Sequence, residues 1–240
     1  NNPNIFEYDT LSDENKWNEY FDVILANPPF FSPKGGITPH NRFSIKSKRA
    51  EVLFTDYIDE HLKPNGRAGI IVPEGIIFQT GIAYKQLRKS LIETSLIGVV
   101  SLPAVVFNPY SGVKTSILIL DKKLNKQINE VIFLDIKNDG FDLSSNRREI
   151  KDNDLPIAIK LFGDLVKNIN DKNSVKKEDI LSTEHLSLSA NHYFNNIITS
   201  SKYDIVKFGS VCKFQGGSQP SKENFIHDPK DGYERFVQIR

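Results

Sequence analysis

The chain has 240 residues, 39% of them hydrophobic and 25% charged, with 31 Lys and Arg against 30 Asp and Glu. That is enough to bury one good core and part of a second, and a net charge of +1 sets up no overall field that would recruit nucleic acid, so any such contact must come from local patches. Cys212, the only cysteine, rules out an internal disulfide and fits a reducing cytoplasm; no apolar run is long enough to span a membrane, and the five scattered histidines lack metal-ligand spacing, so no metal is expected.

Residues 1–20 are polar, with Ile5 and Phe6 as the remnant of a strand and Trp17 close to the next one. The amino terminus is not signal-like. The chain contains no methionine and begins Asn1-Asn2-Pro3, which reads as a portion of a longer protein or one whose start has been removed.

Phe21-Asp22-Val23-Ile24-Leu25-Ala26 predicts a short strand, and the continuous apolar run from Val23 to Ala26 suits one covered on both faces. It must stop near Asn27, because Pro28 has no N–H to give to a sheet ladder. In open parallel sheets ligands sit just beyond the carboxyl ends of strands, which is where Asn27-Pro28-Pro29-Phe30 falls. These residues suit an exocyclic aromatic amine such as that of adenine, whose lone pair is delocalised into the ring. An Asn27 side-chain oxygen and a Pro28 carbonyl, stiffened by the prolines, would hold the two amine hydrogens and free the lone pair for attack on a methyl donor. Phe30 would offer a flat face to a base that has left the duplex. A plain strand-ending turn accounts for the same residues equally well.

The loop from Phe31 to Arg49 carries Lys34, His40, Arg42, Lys46, Lys48 and Arg49 with no acidic residue, interleaved with Phe31 and Phe43. It is the candidate contact for DNA phosphates and an unstacked base; a solvated basic loop is the other reading. Leu53, Phe54, Tyr57, Ile58 and Leu62 predict a helix stopped by Pro64-Asn65-Gly66. Ala68 to Val72 predicts a buried strand, with Glu74 at its end either touching the site or capping the next helix. That helix is marked by Ile82, Leu87, Leu91 and Ile92.

Strands over Leu96 to Leu102, Thr115 to Leu120 and Val131 to Ile136 continue the alternation, which argues for a doubly wound α/β sheet. Between the first two, a turn built from Pro109, Ser111 and Gly112 carries Asn108, Tyr110 and Lys114, with no chemical role assigned. Asp154 and Pro156 start a helix with a stripe of Ile157, Leu161, Leu165 and Ile169, and the charged stretch Asn168 to Glu184 reads as a linker. Gly216-Gly217 lacks the lysine and spacing of a nucleotide phosphate loop.

In order along the chain, Asn27-Pro28-Pro29-Phe30, Leu62-Lys63-Pro64-Asn65-Gly66-Arg67-Ala68-Gly69, Val72-Pro73-Glu74-Gly75, Leu102-Pro103-Ala104, Phe107, Tyr110-Ser111-Gly112-Val113-Lys114-Thr115-Ser116, Asp139-Gly140-Phe141 and Asn153-Asp154-Leu155-Pro156 carry a resemblance. They resemble the N6-adenine methyltransferases of bacterial restriction-modification systems, especially the modification subunit of type I systems. The resemblance implies the carboxyl-terminal part of a Rossmann-like S-adenosylmethionine-dependent methyltransferase sheet, ending in an antiparallel strand at Thr115 to Leu120.

It implies Asn27, Pro28, Pro29 and Phe30 as the catalytic set, and S-adenosylmethionine as methyl donor with no metal. Asp9 sits near the family's acceptor for the cofactor's adenine amine, although a turn or helix-cap aspartate fits as well. Lys34, Arg42, Lys46, Lys48 and Arg49 are the residues expected on DNA. The family's glycine-rich cofactor loop has no counterpart before Asn27, so these residues alone are expected to bind the cofactor weakly or not at all.

From Phe208-Gly209-Ser210-Val211-Cys212 onward the chain resembles the opening of a specificity-type target-recognition domain, and it is expected to continue past Arg240. The organisation expected is 1–150 for the catalytic-side part of the methyltransferase, 151–200 for a helical segment and linker, and 201–240 for the start of the recognition domain. Expected partners are double-stranded DNA together with restriction and specificity subunits, in the cytoplasm. Two other readings stay open: a methyltransferase acting on protein glutamine or RNA, and a DNA-binding or assembly module without activity of its own.

Overall fold

The computed structural model describes residues 5, 10–11, 18–30, 39–167, 173–194, 206 and 208–213. The chain divides into two units, Asn1–Asn195 and Asn196–Arg240. In the first, the described elements are β1 (Phe21–Ala26), α1 (Ala50–Glu60), β2 (Leu62–Pro73), α2 (Glu74–Phe78), α3 (Ile82–Thr94), β3 (Leu96–Ser101), β4 (Thr115–Asp121) and α4 (Lys122–Asn125). After these come β5 (Glu130–Asp135), β6 (Asp139–Phe141), β7 (Glu149–Asn153), α5 (Leu155–Lys167), β8 (Ser174–Lys176), α6 (Lys177–Ser182) and α7 (Ala190–Tyr193).

Among the described residues, six strands form one sheet in the order β1-β2-β4-β3-β5-β8, and β6 and β7 form a separate ribbon. β1 is parallel to β2 and β3 is parallel to β5, whereas β4 runs antiparallel to both of its neighbours and β8 is antiparallel to β5. β1, β2, β3 and β5 therefore share one direction and one carboxyl edge. The expected antiparallel strand is found, but it lies inside the sheet between β2 and β3 rather than closing it.

One face of this sheet is sealed along its length. Ile70, Val72, Leu118, Leu120, Val99, Val131 and Phe133 pack with Val52, Leu53 and Ile58 of α1 and with Leu87, Leu91 and Ile92 of α3. A fully buried side chain of this size contributes about 1.5–3 kcal/mol. Among the described residues, the other face is covered at one end, where Val100, Leu102, Ile132 and Leu134 meet Ala158, Leu161, Phe162 and Val166 of α5. Gly98 permits that approach, since a Cβ there would lie 2.4 Å from the Phe162 ring.

Three expectations change in detail. α1 ends at Glu60, so Leu62 opens a strand instead of closing a helix, and Lys63-Pro64-Asn65-Gly66 occupies the irregular start of β2. Gly66 is needed there because a Cβ would sit 2.9 Å from the Phe21 carbonyl oxygen. Ile157 of the expected stripe on α5 is 69% exposed, because the helix is set by Phe162 over Gly98 and so turns Ala158, Leu161 and Val166 inward. Within the stretch expected to be a linker, β8 and α6 instead extend the sheet and its packing, with Val175 and Ile180 buried.

Arg88 of α3 anchors the segment that follows α6. Fully buried, it donates to the backbone carbonyls of Ile76, Gln79, His185 and Leu186 at 2.6–2.9 Å. Burial lowers its pKa to about 10, still far above neutral pH, so it remains a cation satisfied by carbonyls. In the second unit the described element is α8 (Phe208–Val211); most of the expected recognition-domain start lies outside the described residues.

Candidate active site

β1 ends at Ala26, opposite Ile70 of β2, and the chain leaves the sheet through Asn27, Pro28, Pro29 and Phe30 at the carboxyl edge. Asn27 and Pro29 are exposed, whereas Pro28 and Phe30 are half-buried. The prolines remove two ladder donors, so the strand end coincides with the motif for a covalent reason. The apolar run behind it departs from expectation. Ile24 and Ala26 pack on the core, while Val23 and Leu25 are 51% and 82% exposed, because β1 is the edge strand among the described residues and α5 lies over the opposite end.

A second aromatic ring meets the motif. Phe107 lies edge-on to Phe30, with ring centroids 6.4 Å apart and planes at 71°. It comes from the loop between β3 and β4, whose two ends are joined by a hydrogen bond from Leu102 N–H to the Thr115 carbonyl at 3.1 Å. At the apex, Tyr110 N–H and Ser111 N–H both donate to the Phe107 carbonyl, at 2.9 and 3.1 Å. Val105 sits at φ 58, a strained position for a β-branched residue, and its carbonyl accepts from Asn108 N–H at 2.9 Å. The following Asn108–Pro109 peptide is cis.

Glu74 ties this loop to the end of β2. Its backbone N–H donates to the Lys114 carbonyl at 3.2 Å, and its carboxylate pairs with Lys114 Nζ at 3.7 Å. It is the first residue of α2, and no side-chain cap is made at that helix start. Both groups are partly solvated, so the pair orients more than it stabilises. Beneath it lies a cavity of about 200 Å³, bordered by Glu74, Lys114, Ser101, Ser116, Asp135 and Asn191.

The basic loop divides. Arg42, Lys46, Lys48 and Arg49 are exposed, whereas Phe43 is 2% exposed and belongs to the core, so it offers no ring to a base. The reason is the company it keeps: Phe43 and Ile45 both point inward, and Asp56 of α1 accepts from Ser44 Oγ at 3.0 Å and from Ile45 N–H at 3.4 Å. Burial pushes the Asp56 carboxyl above its ordinary range. In the first turn of α1, Glu51 accepts from Tyr84 OH at 2.6 Å, and burial together with that bond raises the phenol's pKa. Asp9, Phe31 and Lys34 lie outside the described residues.

Residues 1–202 match the family model described as N-6 DNA Methylase. The chain belongs to the N-6 DNA methylase family. Among relatives of this methylase chain, the type I restriction enzyme EcoEI methylase subunit of Escherichia coli is 37% identical over 107 residues, 44% of this chain and 22% of that protein. The MjaIX methylase subunit of Methanocaldococcus jannaschii is 27% identical over 143 residues, 54% of this chain and 25% of that one.

Two solved structures share the α/β methyltransferase fold. The type I restriction-modification methyltransferase subunit from Streptococcus thermophilus superposes with a TM-score of 0.55 at 27% identity, over 77% of this chain and 40% of its own. A chain from a type I R-M system, solved to explain its complex assembly and conformational transition, gives 0.61 at 27% identity, over 82% and 44%. This chain thus spans about a quarter or less of these curated relatives and under half of these solved chains.

The sequence alone assigns Phe107 no place in the site. Nothing in the spacing between positions 30 and 107 signals that the two rings meet. The one local hint was a turn-rich loop between two strands of the same sheet.

Proposed function

We propose that the protein of which this chain is part is a site-specific DNA adenine N6-methyltransferase of a restriction-modification system. What supports it most is the placement of an exposed Asn27 at a strand's carboxyl end, with Phe30 beside it meeting Phe107. In this reading Asn27 Oδ1 and the Pro28 carbonyl accept the two hydrogens of the adenine amine. The nitrogen moves toward a tetrahedral form and its lone pair is freed for attack. The prolines limit backbone adjustment, so the acceptors are set before the base arrives.

Phe30 and Phe107 hold the base. Two rings that sandwich a third need van der Waals contacts of roughly 3.5 Å on each side, or roughly 7 Å between them. Their 6.4 Å separation falls short of this, so admitting a planar base takes both a turn of the rings from edge-on toward parallel and a slight parting of the two. No nucleophilic cysteine lies in the motif, consistent with direct displacement at an amine and without a covalent enzyme intermediate.

S-adenosylmethionine would supply an electrophilic methyl group when bound. The described residues fit the acceptor half of such a reaction; Asp9, the candidate for the cofactor's adenine, is not among them. Duplex DNA as acceptor is supported by the exposed Arg42, Lys46, Lys48 and Arg49 and by the likeness of residues 201–240 to a target-recognition domain. The relatives named above are type I methylase subunits, which makes restriction and specificity subunits the natural partners.

Asn27→Ala in the complete protein should abolish adenine N6-methylation while folding and DNA retention persist. Methyl transfer at the wild-type rate would remove Asn27 from the mechanism.

A further inference from the structure

The loop that brings Phe107 to Phe30 leaves a second aromatic ring, that of Tyr110, in solvent. Tyr110 is 95% exposed, so its side chain serves no packing purpose within the described fold. Its backbone is nonetheless fixed, because its own N–H and that of Ser111 both end on the Phe107 carbonyl, and Val113 N–H donates to Ser111 Oγ at 3.2 Å. The base of the ring is therefore locked to the residue that touches the candidate base clamp, and the ring itself is held out in solvent. An aromatic side chain on a fixed backbone has few torsions to freeze, so it can stack at small entropic cost.

An enzyme that extrudes a base leaves a hole one base deep in the stack, and the two bases bordering it lose a stacking partner. A ring inserted from the protein restores both contacts and blocks return of the base. The inserting ring must stand close to the pocket that receives the base, since the hole and the extruded base belong to the same nucleotide. The backbone N–H of Tyr110 is bonded to the Phe107 carbonyl, so its ring is carried on the same turn as the ring that meets Phe30.

We propose that Tyr110 is a wedge that enters the DNA duplex and fills the gap left by the extruded adenine. This rests on the adenine-methyltransferase reading above and adds a residue on the DNA side of the same site. The wedge acts by stacking, so its hydroxyl is dispensable.

The test uses the complete methyltransferase assembly and two duplexes carrying its methylation site, one fully paired and one with an abasic nucleotide opposite the target adenine. Tyr110→Ala should slow methyl transfer to the paired duplex by about tenfold or more, as expected for loss of a stacking ring. On the abasic duplex, where the adenine is already unpaired, it should run near the wild-type rate. Tyr110→Phe should match wild type on both, and thermal unfolding of both variants should be unchanged. With 2-aminopurine at the target position, the fluorescence rise on binding should shrink in Tyr110→Ala. A wild-type rate for Tyr110→Ala on the paired duplex, or equal loss on both duplexes, overturns the wedge. No methyl transfer by the wild-type assembly to either duplex overturns the underlying assignment instead.

Discussion

The two ends of the central sheet are made of similar residues and treated differently by the fold. At one end, β3 and β5 carry apolar side chains on both faces, and both faces are covered, one by the layer containing α1 and α3 and the other by α5. At the other end, β1 has an equally apolar run, yet Val23 and Leu25 are exposed while Ile24 and Ala26 pack. Apolar content tells that a strand can be buried on two sides; whether it is depends on what the rest of the chain lays over it. Among the described residues, Asn27 and Phe30 belong to the less covered end.

The largest effect should come from breaking the covered end. Arg88→Met removes the donors to the backbone carbonyls of Ile76 and Leu186, in buried bonds, and of Gln79 and His185, in part-buried ones, and should cost about 3–5 kcal/mol in denaturant unfolding. A loss below about 1 kcal/mol would mean that this segment is not held by the guanidinium.

A smaller effect compares the ends directly. Val100→Ala, at a position 8% exposed, should cost about 2 kcal/mol, whereas Val23→Ala, at 51% exposed, should cost about 0.5 kcal/mol or less. Equal losses, measured by unfolding of the same 240 residues, would mean that both ends are covered alike.

The smallest effect concerns the start of β1. His61 is 1% exposed, stacked 3.8 Å from Tyr57, and its carbonyl accepts from Phe21 N–H at 2.9 Å. Burial lowers its pKa. Unfolded chain therefore takes up the proton more readily than folded chain, so this contribution to stability is complete above the ordinary histidine value of about 6.5 and falls as pH drops through the folded value. Unfolding midpoints at pH 7.5 and 5.5 should show a decline for wild type that is smaller in His61→Gln.

Legibility followed the range of the interactions involved. The strands predicted between Phe21 and Ile136 all appear, because contiguous apolar runs and the proline stop are local properties, whereas Phe6 of the expected amino-terminal strand remnant lies outside the described residues. The burial of Phe43 is not legible in the sequence, because a basic, glycine-interrupted loop gives no sign that Asp56, on the next helix, will draw its backbone inward. On α5 Leu161 faces inward as its spacing predicts, but Ile157 does not, because several helical faces are apolar and the gap at Gly98 selects the one carrying Phe162. Residues 174–182 looked like a linker because a short edge strand needs few apolar residues to pair.

The sequence by itself determined where β1 must end and which chemical groups stand there, since two prolines cannot donate to a ladder whatever surrounds them. Tertiary structure alone decided what faces those groups. The Phe30–Phe107 contact joins residues far apart in the chain and is made by strand order and a strained loop, properties carried by the packing of the whole sheet and by no single stretch of residues.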